Sequence, residues 1–534
     1  MTERSISRVE IWAVVACCAA LSLIAIAWSW HNGVQLNYGD AIAHLHIARR
    51  VFDSRFPGIT ELGSVWLPLP HLLMLPFVQV HAWWANGLAG TIPSALAWLL
   101  ACVGLYRLAR RWLSPAPAIV VLAFFALNPN LLYLQTTAMT EPLFVCEMIW
   151  IVDGLVEWRT ALELNDEKKQ NFFQAIIAIA LLAAIYTRYD GWIMALIGWT
   201  AMGIELLLRG KLRSRSFWIW SAFLVVAPIA WFAYNAAAFG DWLDFARGPY
   251  SAKAIELRTA HGDGPLHPGF RNPWVAVLFY LKVTEMDAFV VWRHFGLALS
   301  FVGTVGGWLV YRRRAFDWVL LLWLPVPFYA YSVAYGWVPI FVPVWWPHSW
   351  YNTRYGMEML PAIALGLGFA AQFILTTARE FKPRLHCCVM AGLMVIVALN
   401  AWGLIRKRPL VYIEGKLNYR ARASFDRDIP PALRAQLVRC PAAAVLMNTS
   451  VNPELVALAG ISLRQTINEA DRQIYRDALA APAAHAQIVL AFDGDEIDRA
   501  VKDHPEGLRA IIRFPSNREP PGTLYVSDSC GATP

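Results

Sequence analysis

Long apolar runs broken by short basic loops dominate this chain. A helix needs about 20 apolar residues to cross a bilayer. Runs approaching that length recur at 11–29, 88–108, 116–133, 141–157, 172–187, 191–208, 217–237, 287–310, 318–334, 355–376 and 386–404. The pattern predicts about eleven transmembrane helices. The stretch 66–80 is also apolar, but Pro68, Pro70 and Pro76 interrupt it. It is read as a re-entry at the membrane interface. Ahead of it, Asn37 to Arg50 is too polar to span and has the period of a short amphipathic helix, followed by a break at Pro57-Gly58.

Basic residues give the spans a direction. They cluster at Arg4 and Arg8; Arg107, Arg110 and Arg111; Arg159, Lys168 and Lys169; Arg209, Lys211, Arg213 and Arg215; Arg312, Arg313 and Arg314; and Arg379, Lys382 and Arg384. These fall in every second loop, which predicts a cytoplasmic N-terminus and an extracytoplasmic face carrying loops 30–87 and 238–286 and everything after about 405. The first run is long enough to span and is followed by no small-residue cleavage site, so it is expected to remain as an anchor. Loop 238–286 is long, rich in Gly and Pro, and carries Arg247, Lys253 and Arg258. Such loops often act as lids or binding loops.

After Arg406 the character changes. Short apolar runs at Val445–Met447, Ile488–Leu490 and Ala510–Ile512 alternate with helical patterns at 453–459, 469–480 and 495–503. This predicts a small α/β domain over 406–534, with part of its sheet parallel, after a membrane domain over 1–405. Six of the eight cysteines fall in spans, and only Cys440 and Cys530 lie in the soluble segment. On an oxidising face these two are expected to form a disulfide, the other reading being two isolated buried thiols. No Cys/His spacing suggests structural zinc.

Composition agrees with a polytopic α-helical membrane protein. Of 534 residues, 57% are hydrophobic and 16% charged, against about 25% charged in a soluble domain. The net charge of +8 is accounted for by the inter-span loops and implies no nucleic-acid partner.

Polar residues that could carry chemistry collect at span ends on the outer side. Asp40 heads the 37–50 helix, with His44 one turn later on the same face. Asp40 is read as a helix cap, a catalytic carboxylate, or both. His44 would orient it or share a metal with it. Thr140-Glu141-Pro142 opens a span and has the composition of a helix start. Glu147 and Asp153 lie deeper in that span, where an acid invites a functional reading. Arg188 and Asp190 sit in a tight hairpin, Arg188 either pairing with an acid or binding an anion. Arg354 and Tyr355 follow an aromatic-rich approach to a span. A guanidinium there suits a lipid phosphate, and Arg293 and His294 could join it.

These motifs taken together resemble the GT-C superfamily of polytopic membrane glycosyltransferases. The branch they look closest to holds bacterial relatives of protein O-mannosyltransferases and of lipid A aminoarabinose transferases. The resemblance rests on Gly39-Asp40-Ala41 and the helix to Arg50, Gly63 to His71, Thr140-Glu141-Pro142, Thr187-Arg188-Tyr189-Asp190 and Arg354-Tyr355-Gly356. It covers the membrane region to about residue 404. It implies a polyprenyl-phosphate-linked sugar as donor, a lipid, protein or glycan acceptor, and Asp40 as the catalytic carboxylate of the first outer loop. With Asp40 as base and attack from the face opposite the phosphate, an inverting transfer at the outer face of a bacterial inner membrane is expected. On this reading His44, Glu141, Arg188, Asp190, Lys253, His294, Arg354 and Tyr355 would bind substrates. Many members carry an acidic pair or D-x-D at the catalytic position, whereas Ala41 and Ile42 follow Asp40. That departure puts a divalent metal in doubt. If a metal is held at all, Asp40 and His44 are its candidate ligands. The competing expectation is a transporter or lipid flippase with Glu147 and Asp153 lining a path and an outer receptor domain.

Overall fold

A computed structural model of the protein describes residues 6–259, 266–291, 293–312, 315–516 and 518–530. Arg4, Arg313 and Arg314 of the charge pattern and Gly262 to Pro265 of the long loop lie outside the described residues. The chain forms two compact units. One comprises Met1–His31, Ser64–Pro70 and Ile92–Glu414, the other Asn32–Gly63, His71–Thr91 and Gly415–Pro534.

The first unit is helical. Among the described residues, nine helical stretches are long and apolar enough to cross a membrane, and they begin with Arg8–Asn32 and Leu88–Arg110. Glu167–Thr187, Tyr189–Leu208 and Arg215–Phe239 follow, then Arg293–Tyr311, Phe316–Tyr335, Thr353–Glu380 and a run beginning at Arg384. The protein is therefore integral to a membrane. The other two expected spans are present as helices of different character. The run 116–133 is split into Pro115–Ala126 and Pro129–Leu134. Pro129 cannot donate a backbone hydrogen bond, and Asn128 restarts the helix by accepting from the N–H groups of Asn130 and Leu131. Glu141–Glu163 is a continuous helix of 23 residues with buried acids along it. The apolar stretch after Trp66 contains a helix of only ten residues, Leu69–Val78, too short to span.

Loop 238–286 needs a correction. Its last third is not loop: Pro273–Ala288 is a helix capped by Asn272, and it buries Phe279, Tyr280, Thr284 and Asp287. Lys282, Glu285 and Asp287 dilute its hydropathy, so the pattern hid it. The next span accordingly starts at Arg293 rather than 287. Helix Arg293–Tyr311 meets Leu360–Phe381 backbone to backbone. A Cβ on Gly366 would lie 2.0 Å from the Ser300 carbonyl oxygen, so only glycine permits this small-residue contact.

The second unit is built on a five-stranded sheet in the order β2-β1-β3-β5-β4. The strands are β1 (Val445–Met447), β2 (Thr466–Ile467), β3 (Ile488–Phe492), β4 (Leu508–Phe514) and β5 (Gly522–Ser527). β1 is parallel to β2 and β3, while β5 runs antiparallel to β3 and β4. Leu446, Ile467, Val489, Ile497 and Val501 form its core. A helix of 30 residues, Leu410–Arg439, leads into this sheet. The first loop folds with it. Arg55 Nε donates to the Thr466 carbonyl at 2.7 Å and Arg464 Nη2 to the Phe52 carbonyl at 2.9 Å. Ser462 binds Asp53, and Arg422 donates to the carbonyls of Leu36 and Asn37.

Cys440 and Cys530 are disulfide-bonded, with Cα atoms 5.7 Å apart and 90 residues between them in sequence. Disulfides typically contribute about 2–4 kcal/mol, more for longer loops, chiefly by restricting the unfolded chain. Cys440→Ser is expected to lower the melting temperature of the purified protein, and thiol reductant should lower that of the native chain but not of the variant.

Candidate active site

The hairpin at 187–190 is tight because helix Glu167–Thr187 ends and Tyr189–Leu208 begins around a single extended residue, Arg188 (φ −149°, ψ 154°). Its side chain is driven into a ring of polar groups. Arg188 Nη2 donates to Tyr329 Oη at 2.7 Å and Nη1 to Thr140 Oγ1 at 3.0 Å. Its guanidinium lies 3.2 Å from Glu358, 3.3 Å from Asp190 and 3.4 Å from Glu141. Of the two readings of Arg188, the acid pair is what the structure shows.

Arg354 belongs to the same network. Its Nε donates to Glu141 Oε1 at 3.0 Å, so Glu141 bridges both arginines, and its Nη1 donates to Glu414 at 3.4 Å. Glu414 also accepts from the backbone N–H groups of Asn352 (2.8 Å) and Thr353 (2.9 Å), pinning the left-handed turn at Asn352 (φ 54°). The Tyr355 ring has the guanidinium carbons of Arg188 and Arg354 each 5.0 Å from its centre, within the range of cation–π attraction. Tyr329 donates to Glu358 at 2.7 Å and stacks on Tyr280 and Tyr355. Gly356 leaves no room for a side chain, since a Cβ would come within 2.4 Å of Asp287 Oδ2. Four carboxyl groups thus surround two guanidiniums, and the arginines are held rigidly by partners on several elements.

Thr140 is not the side-chain cap of the helix it precedes. It has helical dihedrals and makes no cap bond, its hydroxyl being the acceptor for Arg188. Glu147 accepts from Thr187 Oγ1 at 2.7 Å. Asp153 pairs with Arg107 at 3.2 Å and Arg111 at 2.9 Å. His294 is tied to Glu285 at 2.6 Å rather than to the Arg354 network, and Lys282 pairs with the same Glu285. Arg293 Nε donates to the Phe289 carbonyl. Lys253 is exposed and lies 5.5 Å from the centre of the Trp337 ring. Tyr189 donates to the Val65 carbonyl at 2.8 Å, anchoring the re-entry.

In the second unit, Asp40 lies in the first turn of helix Gly39–Arg50, half-buried. Tyr38 occupies the cap position, so Asp40 is a first-turn acid favoured by the helix dipole, not the cap residue. His44 Nδ1 is 2.8 Å from His71 Nε2, one ring donating to the other. Among the described residues no group of three or more His, Cys, Asp or Glu is arranged to hold a metal ion.

His46, two residues on from His44, is buried, and neither ring nitrogen has a hydrogen-bond partner among the described residues. Burial, and then the charge of Arg50, lower its pKa from 6.5 to about 3. The folded state therefore keeps the neutral ring while the unfolded chain takes up a proton below pH 6.5. Its contribution to stability is complete above pH 6.5 and is lost progressively as pH falls towards 3. Urea denaturation at pH 7 and pH 4.5 should show a smaller acid-induced loss in His46→Leu than in the native chain.

Glu358, Tyr329, Glu414, Tyr280 and His71 were not singled out by sequence. Glu358 had a signal, an acid four residues beyond Arg354 at a span start. The others lie far away in the chain and become partners only through packing.

The architecture is an ArnT-like GT-C fold. ArnT from Cupriavidus metallidurans bound to undecaprenyl phosphate is similar, with TM-score 0.56 and 13% identity over 97% of this chain and 99% of that one. Its apo state gives 0.55 at the same identity and coverage. An oligosaccharyltransferase from Archaeoglobus fulgidus overlaps at TM-score 0.45 and 11% identity, over 91% of this chain and 69% of that chain. No protein-family model and no curated protein sequence matches the chain.

Proposed function

We propose that this chain is an inverting glycosyltransferase that moves a sugar from a polyprenyl-phosphate donor to an acceptor hydroxyl on the extracytoplasmic face of the bacterial inner membrane. The observation that carries the reading is the fold, shared over nearly the whole chain with a protein crystallised with undecaprenyl phosphate. Asp40 acts as general base on the acceptor hydroxyl, a role worth about 10²–10⁴-fold. The hydroxyl attacks the anomeric carbon from the side opposite the phosphate, and the sugar–phosphate bond breaks with the electron pair leaving on the phosphate. Charge developing there needs preorganised donors. Arg188 and Arg354 contribute to that field, but four carboxyl groups temper them, so the exposed Lys253 takes a larger share of the phosphate contact. Glu141, fixed by both arginines, positions the acceptor or the sugar. The segment carrying helices Asp244–Arg247 and Ala252–Thr259 shields the reactants from water, which would otherwise hydrolyse the donor.

No specific observation favours a transporter. Asp153, which that reading placed on a transport path, is neutralised by two arginines. Purified protein incubated with a panel of polyprenyl-phosphate sugars is expected to bind one class saturably and consume it when acceptor is added. If no member of the panel binds, the proposal fails.

A further inference from the structure

His267 ties helix Ala252–Thr259 to the span Phe316–Tyr335, and the tie has a fixed proton count. Its Nδ1 lies 2.8 Å from Glu256 Oε1 on that helix, and its Nε2 lies 2.9 Å from the Val333 carbonyl oxygen near the end of the span. His267 is 2% exposed and Glu256 7%, so a bond lost here is not made good by bulk water.

A carbonyl oxygen only accepts, so Nε2 carries a proton when it bonds Val333. A second proton must then lie between Nδ1 and Glu256 Oε1. It sits on the ring, giving an imidazolium facing a carboxylate, or on the carboxyl, giving a neutral ring that accepts. Either way the bridge holds one proton more than a neutral imidazole and a carboxylate possess. Once that proton is gone, the single remaining N–H can serve Glu256 or Val333, not both. The other contact is left with two lone pairs facing each other, and the helix is no longer bonded through the ring to the span. The other titratable groups on the elements that meet here have places of their own. Lys253 lies over Trp337, Arg258 donates to the Pro249 carbonyl, Arg247 pairs with Asp241 and Arg271 lies over Phe270. Asp244 heads the short helix Asp244–Arg247, Tyr331 and Tyr335 pack on each other, and Lys282 pairs with Glu285 on helix Pro273–Ala288.

We propose that Glu256 and His267 are positioning residues whose shared proton holds helix Ala252–Thr259, and with it Lys253, against the end of span Phe316–Tyr335. Lys253 stands one turn before Glu256, its ammonium 5.5 Å from the centre of the Trp337 ring. The consequence for substrate rests on the reading that Lys253 meets the donor phosphate. The bridge is intact on the acid side. As pH rises the proton leaves for solvent, the helix comes free, and Lys253 loses its place.

Glu256→Gln separates a proton-dependent bridge from plain packing. The amide NH₂ donates to Nδ1 of a neutral ring whose Nε2–H keeps Val333, so this bridge forms without the extra proton. Hydrogen exchange of the backbone amides of Ala252–Thr259 in the full-length protein, compared between native chain and variant at each pH, is the measurement. Equal protection at pH 5.5, and roughly tenfold lower protection of the native helix than of the variant at pH 9.5, are expected. Glu256→Leu cannot bond the ring and should exchange fast at both pH values. Thermal melting checks that both variants fold. Equal exchange of the native chain and Glu256→Gln at pH 9.5 overturns the bridge, as does a Glu256→Leu helix as well protected as the native one at pH 5.5. Binding of undecaprenyl phosphate gives the second readout, since its own ionisation is common to the proteins compared. The native chain is expected to bind it roughly fivefold more weakly than Glu256→Gln at pH 9.5, and equally at pH 5.5. Equal binding at both overturns the positioning of Lys253. No binding in any of these proteins overturns the transferase reading and the role of Lys253 with it, while exchange still decides the shared proton.

Discussion

Asp40→Asn is expected to reduce kcat for sugar transfer by about 10²–10⁴-fold while leaving donor affinity nearly unchanged. The amide matches the carboxylate in shape and keeps the side chain in the first turn of helix Gly39–Arg50, but it cannot accept the acceptor's proton. Loss of the charge at that turn costs only about 0.3–1 kcal/mol of dipole interaction, so the variant should fold. The effect should fall on kcat rather than KM, because a base acts on the transition state and not on bound donor. Initial rates at saturating donor, with thermal melting alongside, provide the measurement. Full activity in a folded Asp40→Asn protein would remove Asp40 from the chemistry.

The largest effect on stability is expected from Arg188→Leu. Arg188 is 14% exposed, while Glu358 and Glu141 are 0% and 1% exposed. Removing the guanidinium takes the counter-ion from Glu358 and Asp190, leaves Glu141 to Arg354 alone, and strips a cation from the ring of Tyr355. Breaking a buried ion pair from one side costs about 3–5 kcal/mol, because the surviving charge stays buried and uncompensated. A marked fall in melting temperature is expected, and Arg188→Lys should fall between the native chain and Arg188→Leu because a point charge cannot replace the planar fork. The double variant Arg188→Leu/Glu358→Leu should recover part of the loss by removing one stranded acid. A double variant no more stable than Arg188→Leu would mean that Glu358 is not where the penalty lies.

Periodicity in the chain was enough to place the apolar helices, the helix that carries Asp40, and three of the five strands, but not Thr466–Ile467 or Gly522–Ser527. A helix has to bury a stripe of its own residues, and that requirement is written locally. The disulfide was legible for a related reason, since only two cysteines lay outside the spans. Helix Pro273–Ala288 was missed because Lys282, Glu285 and Asp287 lower its hydropathy, and hydropathy does not count the pairing of Lys282 and His294 with Glu285. The Arg188 network was half visible. Arg188, Asp190, Glu141 and Arg354 stand out as charges at span ends, whereas Tyr329 and Glu414 become members only when packing brings them to arginines 141 and 60 positions away. The same holds for the tie between His44 and His71, 27 residues apart.

The folding of the first loop with the C-terminal sheet has a consequence for the order of events in synthesis. Arg55 and its partner Thr466 are 411 residues apart, and Arg422 reaches back across 385 residues to Asn37. Domains tend to fold as their residues emerge, but this one receives its first segment at the start of translation and its sheet only at the end. Helix Gly39–Arg50 waits through the insertion of the whole membrane bundle before it gains the docking partners that fix it. A prematurely terminated chain would insert its spans and still lack a settled Asp40. Completion of the polypeptide thus acts as a checkpoint on the proposed catalytic base.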